Sequence, residues 1–217
     1  YSKIHHDLLS LGEGCAANTV AKLMRNEGLR AQVGYKRRPG KYGIKPAIVA
    51  TNHLRQDFNV DAPEEFGFGI TYIRTHEGWL YLAAVIDLGY RMVHGLTYAN
   101  IARFGRFVDG CLETKANSKV IIHSDQGSKF TSHEWRDFLT DHNLEASMSR
   151  RSNCYDNAVP ENFFNLLNTE RIRRKTYKIR KEAPQDVFDY IEIFYNPKRR
   201  HAINAMLSPV ECEMITK

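Results

Sequence analysis

Residues 66–97 carry three β-rich segments in quick succession, and this spacing limits the fold more than any other feature of the chain. The first two, 68–74 and 79–87, are joined by Thr75-His76-Glu77-Gly78, a hairpin signal. Residues 90–97 supply a third strand. A helical pattern follows at 98–115, with Ile101, Phe104, Phe107, Val108 and Cys111 on one face. Lys119-Val120-Ile121-Ile122-His123 then reads as a short buried strand ending at Asp125. A right-handed crossover lays that fourth strand parallel to and beside the first. Asp125 thereby arrives near the middle of the first strand, around residue 69.

Further on, a helix is expected over 132–142 with Ser132 as its cap, and Leu144–Met148 forms a last strand. Asp156-Asn157 is expected to cap a helix carrying Glu161, Phe164 and Leu167, with Pro160 in its first turn, where a missing N–H costs little. A final helix over 183–195 turns Val187, Tyr190, Ile191 and Phe194 inward. Before the sheet, residues 3–11 and 16–27 read as two short helices around Gly12-Glu13-Gly14. The second has Val20, Leu23 and Met24 as its apolar stripe and Asn18 or Thr19 as its cap. A helix–turn–helix and a plain helical hairpin both fit these residues. The element order is the ribonuclease-H-like arrangement, an α/β fold whose mixed five-stranded sheet is flanked by helices. The expected division is 1–34 helical, 35–60 a basic linker, 61–170 the core, and 171–217 a basic helical extension.

A chain of 217 residues is long enough for one good core plus a small appended unit. Its longest apolar run, Trp79 to Ile86, is too short to span a bilayer, and no signal-peptide pattern opens the sequence. The four cysteines are far apart, without a Cys-x-x-Cys pair, which suits reduced cytosolic thiols. The net charge of +6 suits a polyanionic partner only if the bases cluster, and they do. Lys36, Arg37, Arg38, Lys41 and Lys45 form one group, and seven bases fall between Arg171 and Lys181. Lys198, Arg199, Arg200 and His201 form a third. A solvated surface explains any single run. Three runs around one acidic site favour phosphate contact.

Asp125 and Glu161 are the candidate chemistry. A carboxylate at the end of a buried strand and another on a later helix are placed to hold magnesium, which prefers oxygen ligands. Two such ions position a nucleophile and neutralise charge on a phosphodiester. The alternative for each acid is a surface charge or a turn residue, and Asp125-Gln126-Gly127 has the composition of a turn. Trp135, Phe163 and Phe164 read as core residues, and Arg150 and Arg151 lie in the loop before Glu161.

Several segments resemble the catalytic half (OrfB) of insertion-sequence transposases, in the DDE integrase superfamily. They are Ile70-Thr71-Tyr72-Ile73-Arg74-Thr75, Gly78-Trp79-Leu80-Tyr81-Leu82-Ala83, Val85-Ile86-Asp87-Leu88 and His123-Ser124-Asp125-Gln126-Gly127. Ser147-Met148-Ser149-Arg150, Asn153-Cys154-Tyr155-Asp156-Asn157-Ala158, Tyr195-Asn196, Arg199-Arg200-His201 and Ser208-Pro209 continue the similarity across nearly the whole chain.

The resemblance implies DNA cleavage and strand transfer with two Mg2+ (or Mn2+) ions, Asp125 and Glu161 being the second and third acids of the triad. The implied partners are double-stranded DNA, both transposon ends and target, and further copies of the chain. The implied location is the bacterial cytoplasm at the nucleoid. DNA contacts are expected from Lys36, Arg37, Arg38, Arg150, Arg151, Arg171, Arg173, Arg174 and Lys175. The first acid of the family precedes Ile-Thr-Tyr-Ile, where this sequence has Gly69. Asp87 is the possible substitute, although it pairs near residue 66 rather than 69 in a hairpin turning at 75–78. The other reading implied is an inactive remnant that binds DNA.

Overall fold

The computed structural model describes residues 1–31, 49–55, 65–98, 120–127, 130–150 and 153–216. Five strands form one sheet in the order β3-β2-β1-β4-β5. They are β1 (Glu65–Thr75), β2 (Gly78–Asp87), β3 (Val93–Thr97), β4 (Ile121–Ser124) and β5 (Glu145–Met148). β1 and β2 pair antiparallel from Phe66↔Asp87 to Thr75↔Gly78. Gly78 closes that turn at φ 110°, a conformation open to glycine and costly for other residues. β4 runs parallel to β1, and β5 parallel to β4. The expected helix over 98–115 lies outside the described residues.

Strand alternation builds two cores. Phe66, Phe68 and Val85 pack with Ile122, Trp135 and Leu139 on one face. Ile73, Leu82, Ala84 and Ile86 pack with Phe163, Leu167, Val187 and Tyr190 on the other. Burying each such side chain contributes roughly 1.5–3 kcal/mol, so these two layers hold the domain together. Among the described residues, the two N-terminal helices bury only one side chain, Val20.

α1 (Ser2–Ser10) and α2 (Ala17–Asn26) fall where the pattern places them. Neither Asn18 nor Thr19 caps α2, because it begins earlier, at Ala16. Leu23 of the expected stripe is 58% exposed. α1 is tied to the C-terminal part of the chain by Arg200 Nε, which donates to Asp7 at 2.6 Å. Part of the expected linker is pinned to the core. Met148 N–H donates to Thr51 O at 3.4 Å beside β5, and Leu54 is buried.

α3 (His133–Asp141) starts as expected at Ser132, whose hydroxyl accepts the Trp135 N–H at 3.2 Å. α4 (Ala158–Glu170) starts differently. Asn157 makes no capping bond and the Asp156 carboxylate is engaged elsewhere, so the expected Asp156-Asn157 cap is absent. α5 (Glu182–Asp189) continues into a π-type stretch, Tyr190–Tyr195, and α6 is Pro209–Thr216. Phe194, expected inward, is 39% exposed, whereas Tyr195 is 2% exposed. A π turn holds more residues than an α turn, which moves the inward position on by one.

Candidate active site

Asp125 follows β4 directly. The parallel ladder pairs Gly67 with His123, and continuing it by two residues sets Asp125 beside Gly69. Asp125 bends into a short turn in which one carboxylate oxygen accepts the Gly127 N–H at 2.8 Å. Gln126 fastens this turn to the next strand by donating to Ser149 O at 3.0 Å. The Asp125 side chain stays exposed.

Glu161 lies in the first turn of α4. Solvent reaches it, yet partial burial pushes its carboxyl above the ordinary value, and the Asp125 carboxylate pushes it the same way. The fold therefore brings the two expected acids into electrostatic contact across the sheet–helix junction. Two like charges held together in this way have a use for a cation.

The place beside them is closed by packing. A Cβ on Gly69 would meet the Phe164 ring at 2.6 Å and Pro160 at 3.2 Å, and one on Gly67 would meet Pro160 at 2.8 Å. Both glycines let α4 sit close on β1. Asp87 does not reach this place. It pairs with Phe66 and shares the parity of Ala83 and Val85, which face the Trp135 layer, whereas Gly69 faces α4. One Asp87 oxygen accepts the Gly89 and Tyr90 N–H groups, each at 2.8 Å, and the other lies 3.8 Å from His94. Its role is to build the β2–β3 turn.

A third carboxylate, absent from the sequence-based candidates, organises the loop leading to Glu161. Asp156 is fully buried. Its oxygens accept from Asn52 at 3.0 Å, from the Arg150 backbone at 2.9 Å, and from the Arg150 guanidinium at 2.8 and 3.0 Å. Beside it, the Ser147 hydroxyl meets His123 Nδ1 at 2.8 Å and accepts the His53 N–H at 3.0 Å. Burial pushes His123 down to about 4 against the weaker upward pull of Asp156. The sequence signal for this hub was the Arg150–Asp156 spacing around one loop. Asn52 gave none, since its partner is 104 residues away.

The expected DNA contacts divide. Lys36, Arg37, Arg38 and Arg151 lie outside the described residues. Arg150 is committed to Asp156, although its side chain remains 63% exposed. Arg171 and Lys175 pair with Asp186, and Arg174 donates to Thr169 O at 3.1 Å. Arg173 is exposed, with no bonding partner among the described residues. Two arginines of the third basic group are structural rather than a phosphate surface. Arg199 is buried against Glu170 and Tyr190, and Arg200 holds α1.

Among the described residues, no group of three or more His, Cys, Asp or Glu is placed to hold a metal ion. Two carboxylates suit one magnesium ion that shares its remaining positions with water and substrate phosphate. They fall short of the expected pair of ions.

Comparison with known proteins identifies the family and the fold. Integrase core domain families match residues 69–154 and 161–215. The transposase InsF of insertion sequence IS3A from Escherichia coli (strain K12) is 38% identical over 216 residues, 97% of this chain and 75% of InsF. The chain belongs to the insertion-sequence transposases with an integrase core. The catalytic domain of Mos1 mariner transposase shares the fold, with a TM-score of 0.50 and 13% identity over 59% of this chain and 70% of that one. One structure of that domain is described with Mn. A simian T-cell lymphotropic virus intasome shares it over 95% of this chain and 69% of that one, with a TM-score of 0.53 and 10% identity. The fold of this transposase is thus ribonuclease-H-like, as the element order implied. Among the described residues, no helix is long and apolar enough to cross a membrane.

Proposed function

We propose that this transposase acts on double-stranded DNA, with Asp125 and Glu161 holding one divalent cation, Mg2+ or Mn2+, against a phosphodiester, and with strand cleavage and transfer much slowed by Gly69. The observation that carries this reading is that Asp125, just after β4 and beside Gly69, senses Glu161 on α4 in a transposase fold. When bound, the ion supplies a Lewis acid that offsets phosphate charge. The rest falls to the chain. Asp125 is aimed by its bond from Gly127, and Glu161 by α4, which Pro160 and Phe164 seat on β1. Arg173 and Arg174, just past the far end of α4, supply exposed charge for the DNA backbone. The expected setting is an assembly of several copies on paired DNA ends at the bacterial nucleoid. Losing one acid from a set that acts as a unit removes several powers of ten in rate.

A second reading, a DNA-binding remnant without cleavage, is favoured by the apolar packing over Gly69. One assay separates the two. Magnesium-dependent nicking of a transposon-end duplex is measured for the unaltered chain, for Asp125→Asn, and for Gly69→Asp combined with Phe164→Leu. Gly69→Asp alone must displace the Phe164 ring and is expected to destabilise the fold by about 1–3 kcal/mol. The combined variant makes room for the acid and is expected to gain at least about a hundredfold in rate. Weak nicking by the unaltered chain should vanish in Asp125→Asn. Persistence there would sink the site assignment, and no nicking in any form would leave the remnant reading.

A further inference from the structure

β1 extends well past β4. The ladder with β4 covers Glu65–Gly67, and the far edge of β1 next meets a neighbour at Thr75, which bridges to Tyr177. Between them lies an open groove of about 860 Å3. Its walls include Arg74, Arg173 and Lys175, and the aromatic rings of Tyr72, Trp79 and Tyr81. Among the described residues no Asp or Glu lines it. Lys175 is paired with Asp186, whereas Arg74 and Arg173 have no bonding partner among the described residues. Tyr72, Trp79 and Tyr81 are 54%, 57% and 45% exposed. Strand register sets Tyr72 opposite Tyr81 and Arg74 opposite Trp79, and the two tyrosine rings meet edge to face at 5.1 Å. Three adjacent exposed aromatic rings on one sheet face are uncommon without a ligand.

The groove follows the same edge of β1 as the acids, which do not themselves line it, and its rings stand on the Trp135 side of the sheet. Asn168, on its wall, donates to Thr71 Oγ1 at 3.3 Å. Asn168 is seven residues along α4 from Glu161, roughly 10 Å at the rise of a helix. Thr71 is two residues beyond Gly69 on β1.

We infer that this groove holds unpaired nucleotides of DNA along the open edge of β1, their bases stacked on Tyr72, Trp79 and Tyr81 and their phosphates met by Arg74 and Arg173. The inference rests on the DNA reading above and deepens it. Cations without acids select a polyanion. Exposed ring faces select bases freed from a duplex, because a paired base offers no free face to a ring. Thr71 and Asn168 form the wall on the α4 side of that edge, the side on which Asp125 and Glu161 lie.

The chain has two tryptophans, and Trp135 is buried, so change in the emission of Trp79 reports the groove directly. The test titrates the whole chain, at low salt with EDTA, against a short oligothymidylate, an oligouridylate of equal length, and a duplex of equal length. Binding is read by anisotropy of labelled strands and by tryptophan emission. Oligothymidylate should quench emission in step with binding. Trp79→Phe should abolish the quench while keeping affinity within about threefold, since a ring remains. Tyr72→Ala with Tyr81→Ala should weaken single-strand binding about tenfold and change duplex binding less than twofold. Arg74→Ala with Arg173→Ala should weaken it and flatten its salt dependence. Binding without a quench, equal losses on duplex and single strand, or tighter binding of oligouridylate would each overturn the inference. With any of these, retained duplex binding spares the wider DNA reading. Failure to bind either form of DNA ends both.

Discussion

Asp156 and the pair Asp125–Glu161 lie on either side of one loop, yet the fold treats their carboxylates in opposite ways. Asp156 is fully buried, and both of its oxygens are engaged by Asn52 and Arg150. Asp87 is buried as well, with two backbone N–H donors on one oxygen and, among the described residues, no hydrogen bond on the other, which lies 3.8 Å from His94. Asp125 and Glu161 are exposed. Among the described residues Asp125 accepts one bond and Glu161 none, and the Asp125 charge disfavours ionisation of Glu161. A buried carboxylate without partners would cost several kcal/mol, so the acids that build the fold are given donors. Acids meant for a ligand are left short of partners, and the fold bears the repulsion. Stability and chemistry are thus divided between residues five apart, Asp156 and Glu161.

The largest expected effect is at Asp156. Asp156→Ala strips the partners from Asn52 and from the Arg150 backbone, and frees the loop that sets the entry to α4. Hydrogen bonds to charged groups contribute about 1.5–3 kcal/mol, and the Arg150 side chain recovers part of its loss in solvent. A destabilisation of about 2–4 kcal/mol is expected from urea unfolding. By contrast, Asp125→Asn should fall within about 0.5 kcal/mol of the unaltered chain. Similar losses for the two variants would erase the contrast between them.

Next in size is acid sensitivity from the hub. His123 is pushed down to about 4 from 6.5 in the folded chain, chiefly by burial, and His201 likewise to about 4. Below pH 6.5 the unfolded chain takes up a proton that the folded chain refuses. Stability is therefore present above pH 6.5 and is lost as pH falls towards 4. Urea midpoints measured across this window should fall in the unaltered chain and fall less steeply in His123→Gln. Parallel slopes would mean that burial does not keep the His123 imidazole neutral.

Much of this was legible in the sequence. The hairpin at 75–78, the parallel fourth strand and the meeting of Asp125 with residue 69 follow from strand period and crossover rules, which are local or topological. The mispairing of Asp87 with Gly69 was legible too, since register fixes it once the turn is known. What could not be read were contacts between distant segments. Asn52 and Asp156 are 104 positions apart, and no local pattern links them. Arg199 and Arg200 read as part of a basic surface, but one is buried beside Glu170 and the other fastens α1. Charge runs report composition, whereas packing decides which charges face water. Phe194 was misplaced for a different reason, a change of helical pitch that hydrophobic spacing alone does not announce.

The smallest expected effects lie at the pair itself. Glu161 is raised in the folded state, by burial first and by Asp125 second. The folded chain therefore holds this proton to higher pH than the unfolded chain. Stability linked to Glu161 falls as pH rises from the ordinary carboxylate value through the raised one. Glu161→Gln removes that loss and should be at least as stable as the unaltered chain at neutral pH. Adding Mg2+ should raise the Tm of the unaltered chain, by the equivalent of about 1.4 kcal/mol at tenfold excess over its Kd, and leave Glu161→Gln unmoved. Asp125→Asn should bring the Glu161 titration, followed by carboxyl-carbon NMR, partly back towards the ordinary value. The return is only partial, because burial remains when the charge is gone. A Glu161 titration unchanged in Asp125→Asn would mean that the two acids do not sense one another, and the case for a shared cation would lapse with it.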